Sequence, residues 1–170
     1  MAAEGDAVIQ VSTRGRYALR AMVDIAQYGV NGPVLRRDLA ERQGISSDYV
    51  AQLFQCLKSA GLIEGVKGPG GGYTLARPAA LISAADVVEA VEGPFAVVHC
   101  ALPGQADQPG CARVDGCATH LLWIQLSATI AEFLGSVTLQ DLCDQAAELG
   151  EKEPKRGQRG PGEVLNAGGR

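Results

Sequence analysis

The chain has 170 residues, 46% of them hydrophobic and 20% charged, with a formal net charge of −4. Such a chain is long enough to bury a real core and reads as one domain with an appended segment, and its apolar runs fall far short of a membrane span. Five cysteines, with no basic start and apolar stretch at the N-terminus, argue against a secreted disulfide framework and for a reducing, cytoplasmic setting.

Residues 1–10 read as a flexible arm. Ser12 is a candidate N-cap for a helix from about Arg14 to Tyr28, whose positions Tyr17, Leu19, Ala21, Met22, Ile25 and Ala26 recur at helical spacing. Asn31-Gly32-Pro33 breaks it. A short helix is expected from Leu35 to Gln43, with Leu39 and Ala40 inward and Gly44 as its stop. Ser46, Ser47 and Asp48 offer capping oxygens for a third helix reaching Ala60. On it Val50, Leu53, Phe54 and Leu57 form an i, i+3, i+4, i+7 stripe, leaving Asp48, Tyr49, Ala51, Gln52, Gln55 and Lys58 on the outer face. Leu62–Lys67 and Tyr73–Arg77 read as strands joined by Gly68-Pro69-Gly70-Gly71-Gly72.

Two short helices across a glycine turn, followed by a hairpin, form a winged helix-turn-helix pattern over residues 11–82. The glycine run is a poor phosphate loop, because no Lys-Ser/Thr follows and it leads into a strand. Farther on, Ser83 caps a helix of Ala84–Glu92, and residues 99–118 form a cysteine loop. An amphipathic helix is expected over Thr119–Gly135, with Leu122, Leu126, Ile130, Phe133 and Leu134 as one apolar stripe and Leu121 and Trp123 beside it. Thr138–Leu149 is a last short helix. Residues 83–149 thus form a loop-and-helix segment, and the glycine- and charge-rich residues 150–170 read as a disordered tail. The fold class is mainly α.

Charge follows the same division. Residues 11–77 carry nine Lys/Arg against five Asp/Glu, and residues 78–149 carry one against nine. A basic block joined to an acidic one fits a DNA-facing part plus a part that faces elsewhere. A helix in the major groove reads base edges, so Ser47, Tyr49, Ala51 and Gln52 on the third helix are the candidate readers. Gln52 suits an adenine edge and Ala51 a thymine methyl. Arg14, Arg16, Arg36, Arg37 and Lys58 suit phosphates, which position without specifying. Lys67, with Gly70 and Tyr73 of the glycine wing, suits the adjacent minor groove.

The loop holds Cys100, Cys111, Cys117 and His120. Three thiolates and an imidazole suit zinc or an iron–sulfur cluster, and two of the thiols also allow a redox disulfide. Spacing leaves His99, beside Cys100, open as the fourth ligand. Cys56 and Cys143 read as small, partly buried residues.

Ser12-Thr-Arg-Gly-Arg-Tyr-Ala, Ala40-Glu-Arg-Gln-Gly-Ile-Ser, Gln52-Leu-Phe and Lys67-Gly-Pro-Gly-Gly-Gly-Tyr73 resemble the IscR branch of the Rrf-two superfamily of winged-helix repressors, with NsrR and RirA as relatives. The resemblance continues through Cys117-Ala-Thr-His120-Leu-Leu-Trp123 and Thr138-Leu-Gln-Asp-Leu142 and spans about residues 11–145. It implies a 2Fe–2S cluster on Cys100, Cys111, Cys117 and His120, and repression of iron–sulfur assembly genes. The ten residues between Cys100 and Cys111 are about twice the usual spacer of that branch, which leaves 4Fe–4S open. Arg16 stands where NsrR-type sensors use an acidic residue of the partner subunit, and His120 in its expected place favours the IscR branch.

The helix after His120 is too apolar to stand exposed, so pairing with its copy is expected: a homodimer reading a palindromic operator. The cluster would then bias the placement of wing and recognition helix. No nucleophile or acid–base constellation suggests an enzyme, a membrane partner or a small-molecule substrate. The alternative is a winged-helix regulator with a structural zinc, or with a nitric oxide- or iron-sensing 4Fe–4S cluster.

Overall fold

The computed structural model describes residues 11–102 and 116–152. Its elements are α1 (Thr13–Tyr28), α2 (Arg36–Gln43), α3 (Ser47–Ser59), β1 (Ile63–Val66), β2 (Gly72–Leu75), α4 (Ala84–Glu92), α5 (Ala118–Ser136) and α6 (Leu139–Lys152). Short 3-10 turns occupy Gly29–Asn31, Ala79–Leu81 and His99–Ala101.

Local chemistry sets most of these boundaries. Ser12 accepts from the backbone N–H groups of Arg14 and Gly15, and Ser46 from that of Tyr49. Ser83 and Asp86 form a reciprocal capping box at α4. Gly44 ends α2 at φ +65°, a left-handed conformation that favours glycine.

One core gathers Met22 and Ile25 of α1, Leu39 of α2, Leu53, Phe54 and Leu57 of α3, Ile63 of β1, Val87 and Val91 of α4, and Leu139 of α6. This core runs across position 82–83. The start of α6 is pinned beside the start of α4: Ala84 N–H donates to Val137 O (2.8 Å) and Leu139 N–H to Ile82 O (2.9 Å).

Three expectations need correction. The strands are shorter than the sequence suggests, four residues each, with Ile63 opposite Leu75 and Val66 opposite Gly72. Val34 adds an isolated bridge to β2 through reciprocal hydrogen bonds with Tyr73, both 2.9 Å. Next, α6 continues through Lys152, so residues 150–152 are helical and not part of a disordered tail. The rest of that tail, and the arm 1–10, lie outside the described residues. Finally, α5 is not one-sided. Leu126, Ile130, Leu134 and Trp123 are half-buried, while Leu121, Leu122, Ile124 and Phe133 are exposed around the other half. Periodicity alone does not tell which half of such an apolar helix its own chain covers.

Candidate functional site

The recognition half is built by α2, α3 and the wing. Phe54 of α3 packs edge-on against Tyr73 of β2, with ring centroids 4.5 Å apart, fixing the wing to the third helix. The glycine run is needed for that close fit. A Cβ on Gly72 would lie 2.5 Å from Val34 O, and Gly70 sits at φ +76°. Between wing and helices runs a groove lined by Arg36, Lys58, Lys67 and Tyr73. It brings together three of the cations that the sequence assigns to DNA, and all three are exposed.

The other candidates divide by exposure. Arg14, Arg16 and Gln52 are exposed on α1 and α3, as is Gly70 in the wing. Ser47 and Ala51 are half-buried. Tyr49 is half-buried too, edge-on to Tyr17 at 6.0 Å, so part of the ring expected on the outer face is spent on packing against α1. Arg37 is exposed and lies 3.5 Å from Asp38. Cys56 is half-buried and accepts from Arg14 Nη2 (2.9 Å).

A network between α1 and α2 sets the pitch of the helix pair. The Asp24 carboxylate is buried and accepts from Arg42 Nη2 (2.6 Å), Arg42 Nε (2.9 Å) and Gln43 Nε2 (2.8 Å). Arg20 donates to the side-chain and backbone oxygens of Gln43, both at 3.0 Å.

Cys117 is the N-cap of α5, and His120 lies in its first turn. The Thr119 hydroxyl is 3.1 Å from Cys117 Sγ. That hydroxyl first, and then the backbone amides of His120 and Thr119, hold the Cys117 thiol below its ordinary value. His120 Nδ1 is buried, and among the described residues it has no hydrogen-bond partner. A buried acceptor or donor left empty is costly unless something outside the protein's own hydrogen bonds takes it up, so the donor set fits a metal or cluster.

Cys100 is half-buried in the His99–Ala101 turn, while His99 is exposed. Among the described residues, no three His, Cys, Asp or Glu close on one point; Cys111 lies outside them. The segment before Cys100 is held to α5 by Ser127, which sequence reasoning missed. Its hydroxyl accepts from Val97 N–H (3.1 Å) and donates to Trp123 O (2.7 Å). A lone serine inside an apolar helix is the available signal.

A helix-turn-helix with a wing stapled to its third helix, and cations gathered between them, defines a winged-helix DNA-binding protein. The Rrf2 family, described as an iron-dependent transcriptional regulator, matches residues 11–145, and the chain belongs to it. The chain is 39% identical over 164 residues to the HTH-type transcriptional regulator IscR of Xenorhabdus nematophila, covering 93% of this chain and 97% of that one. Among solved structures, IscR of T. potens matches at TM-score 0.69 and 36% identity, over 85% of this chain and 93% of the other. CymR (YrzC), the global cysteine regulator of B. subtilis, matches at TM-score 0.65 and 30% identity, over 81% and 98%. No described helix is long and apolar enough to cross a membrane.

Proposed function

We propose that this chain is an iron–sulfur-sensing transcriptional regulator that binds a palindromic operator as a homodimer and represses genes of iron–sulfur assembly or of iron and redox homeostasis. Cys100, Cys111, Cys117 and His120 hold the cluster, of the 2Fe–2S type. The observation that carries the reading is the buried Nδ1 of His120, unpartnered among the described residues, in the same helical first turn that Cys117 caps. The iron dependence of the family supports it.

When bound, such a cluster supplies a redox-sensitive link between the loop and α5, and an imidazole in place of a fourth thiolate raises its potential. The residues of the chain do the rest. Gln52 and Ala51 read bases from α3, and Ser47 and Tyr49 line the helix start. Arg14, Arg16, Arg36 and Lys58 meet phosphate, and Lys67 enters the minor groove with Gly70 and Tyr73 shaping the wing. The exposed Leu121, Leu122, Ile124 and Phe133 pair α5 with its copy, which sets two recognition helices on one symmetry axis.

The test is the iron, sulfide and zinc content of protein purified without oxygen, with visible and Mössbauer spectra. Equal iron and sulfide, reduced in His120→Ala, is the expected result. Zinc alone after attempted reconstitution overturns the cluster. A 4Fe–4S spectrum corrects its type, and unchanged content in His120→Ala moves the fourth ligand to His99.

A further inference from the structure

The first turn of α1 is electrostatically at odds with its own helix. It carries Arg14 and Arg16 and no acidic residue, although a helix N-terminus favours anions. The last residue of α4 has the opposite mismatch. Glu92 places a carboxylate at a helix C-terminus with no basic residue in the last turn. The fold brings the two together. Gly15 N–H donates to Glu92 Oε1 at 2.8 Å, and the Ser12 hydroxyl donates to the same oxygen while capping α1.

Gly15 is buried at this contact, and a Cβ there would lie 3.2 Å from Glu92 Oε1. An alanine there would push the carboxylate back by a few tenths of an ångström. The contact has neighbours on both sides. Toward DNA, Arg14 donates to Cys56 on the recognition helix α3. Away from DNA, the chain turns at Gly93 (φ +85°), is held at Val97 by Ser127, and reaches Cys100.

We propose that Glu92 is a positioning residue for DNA binding. Its carboxylate caps α1 from α4, sets the angle at which Arg14 and Arg16 meet phosphate, and makes that angle depend on the segment leading to Cys100. This rests on the DNA-contact and cluster assignments above. At the end of α4 the carboxylate opposes the helix dipole, whereas at the start of α1 it complements it. A displacement of the Cys100 segment acts on Glu92 through the seven residues 93–99, and on α3 through α1.

The experiment uses the full chain and a duplex enriched by the wild-type protein from a random-sequence DNA library. Glu92→Ala is expected to weaken binding by about three- to thirtyfold, the scale of one lost cap. It is also expected to speed hydrogen exchange at the Gly15 amide and to abolish any affinity difference between reconstituted and chelator-treated protein. Glu92→Gln keeps an acceptor oxygen and is expected to fall between. Gly15→Ala separates positioning from mere helix stability. Alanine is the better helix former, yet it pushes the carboxylate back, so weaker DNA binding with an unchanged or higher melting midpoint is expected.

Wild-type affinity and Gly15 exchange in Glu92→Ala overturn the proposal, as does tighter binding in Gly15→Ala. If wild-type protein binds equally well with and without its cluster, the sensing assignment fails. The affinity and exchange of Glu92→Ala still decide the positioning role.

Discussion

Asp24→Asn probes the joint between α1 and α2. The carboxylate is 1% exposed and accepts three hydrogen bonds from Arg42 and Gln43, and Arg42 also lies 4.2 Å over the Tyr28 ring. The hydrogen bonds from Arg42 to Asp24 hold that guanidinium above its ordinary value, against the effect of burial. Asparagine keeps the shape but turns one oxygen into a donor, which then faces another donor. Breaking a fully buried pair costs about 3–5 kcal/mol. Here the Arg42 side chain keeps 31% exposure, so solvent recovers part of that; we expect about 1.5–3 kcal/mol. Urea denaturation at 25 °C measures it, and a double-mutant cycle with Arg42→Met isolates the pair. A loss below about 0.5 kcal/mol, or a coupling energy near zero, would refute the claim that this pair sets the helix joint.

Gly72→Ala forces a Cβ against the Val34 carbonyl and is expected to cost about 1–3 kcal/mol by breaking the Val34–Tyr73 bridge; an unchanged denaturation midpoint contradicts that packing. Lys67→Ala is expected to weaken DNA binding on every sequence and lower the salt slope by about 1, whereas Gln52→Ala relaxes one base position by about 1–3 kcal/mol; binding titrations over salt and base substitutions separate the two. Leu122→Asp with Phe133→Asp is expected to yield a monomer in sedimentation, since both side chains stand exposed on α5; an intact dimer moves the interface elsewhere. The Thr138 backbone N–H and hydroxyl hold the Asp141 carboxyl below its ordinary range. A depressed carboxylate stabilises fully above its unfolded-state value and loses that as pH falls through the folded one. The gap in melting midpoint between wild type and Asp141→Asn should therefore persist at neutral pH and close only below about pH 4; a gap that widens on acidification has the wrong sign.

The parts of the fold legible in the sequence are those encoded by neighbours. Ser12, Ser46 and Ser83 mark helix starts because a cap bonds within three residues, and Gly44 marks a stop because a left-handed residue is needed there. The stripe Val50, Leu53, Phe54 and Leu57 is buried as its spacing predicts. Pairings across the chain have no local signature. Glu92 meets Gly15 77 positions away, and Asp24 takes Arg42 from another helix, so neither follows from periodicity. The half-burial of Tyr49 has the same origin, since Tyr17 reaches it from α1. The apolar circumference of α5 hid which side its own chain covers. Of the proposed ligand quartet, the residue types are legible in the sequence, and the structure adds the burial of His120 Nδ1.

The pin between the starts of α4 and α6 divides the chain in a way that residue order conceals. The chain leaves α4 at Gly93 and rejoins its start at Val137, where Leu139 enters the core. Because the closure is made by the DNA-binding body itself, lengthening the excursion costs only a logarithmic entropy, and ten residues between Cys100 and Cys111 are affordable. Among the described residues α5 adds no side chain to the buried core, so hydrogen exchange is expected to be faster along α5 than along α1 and α3.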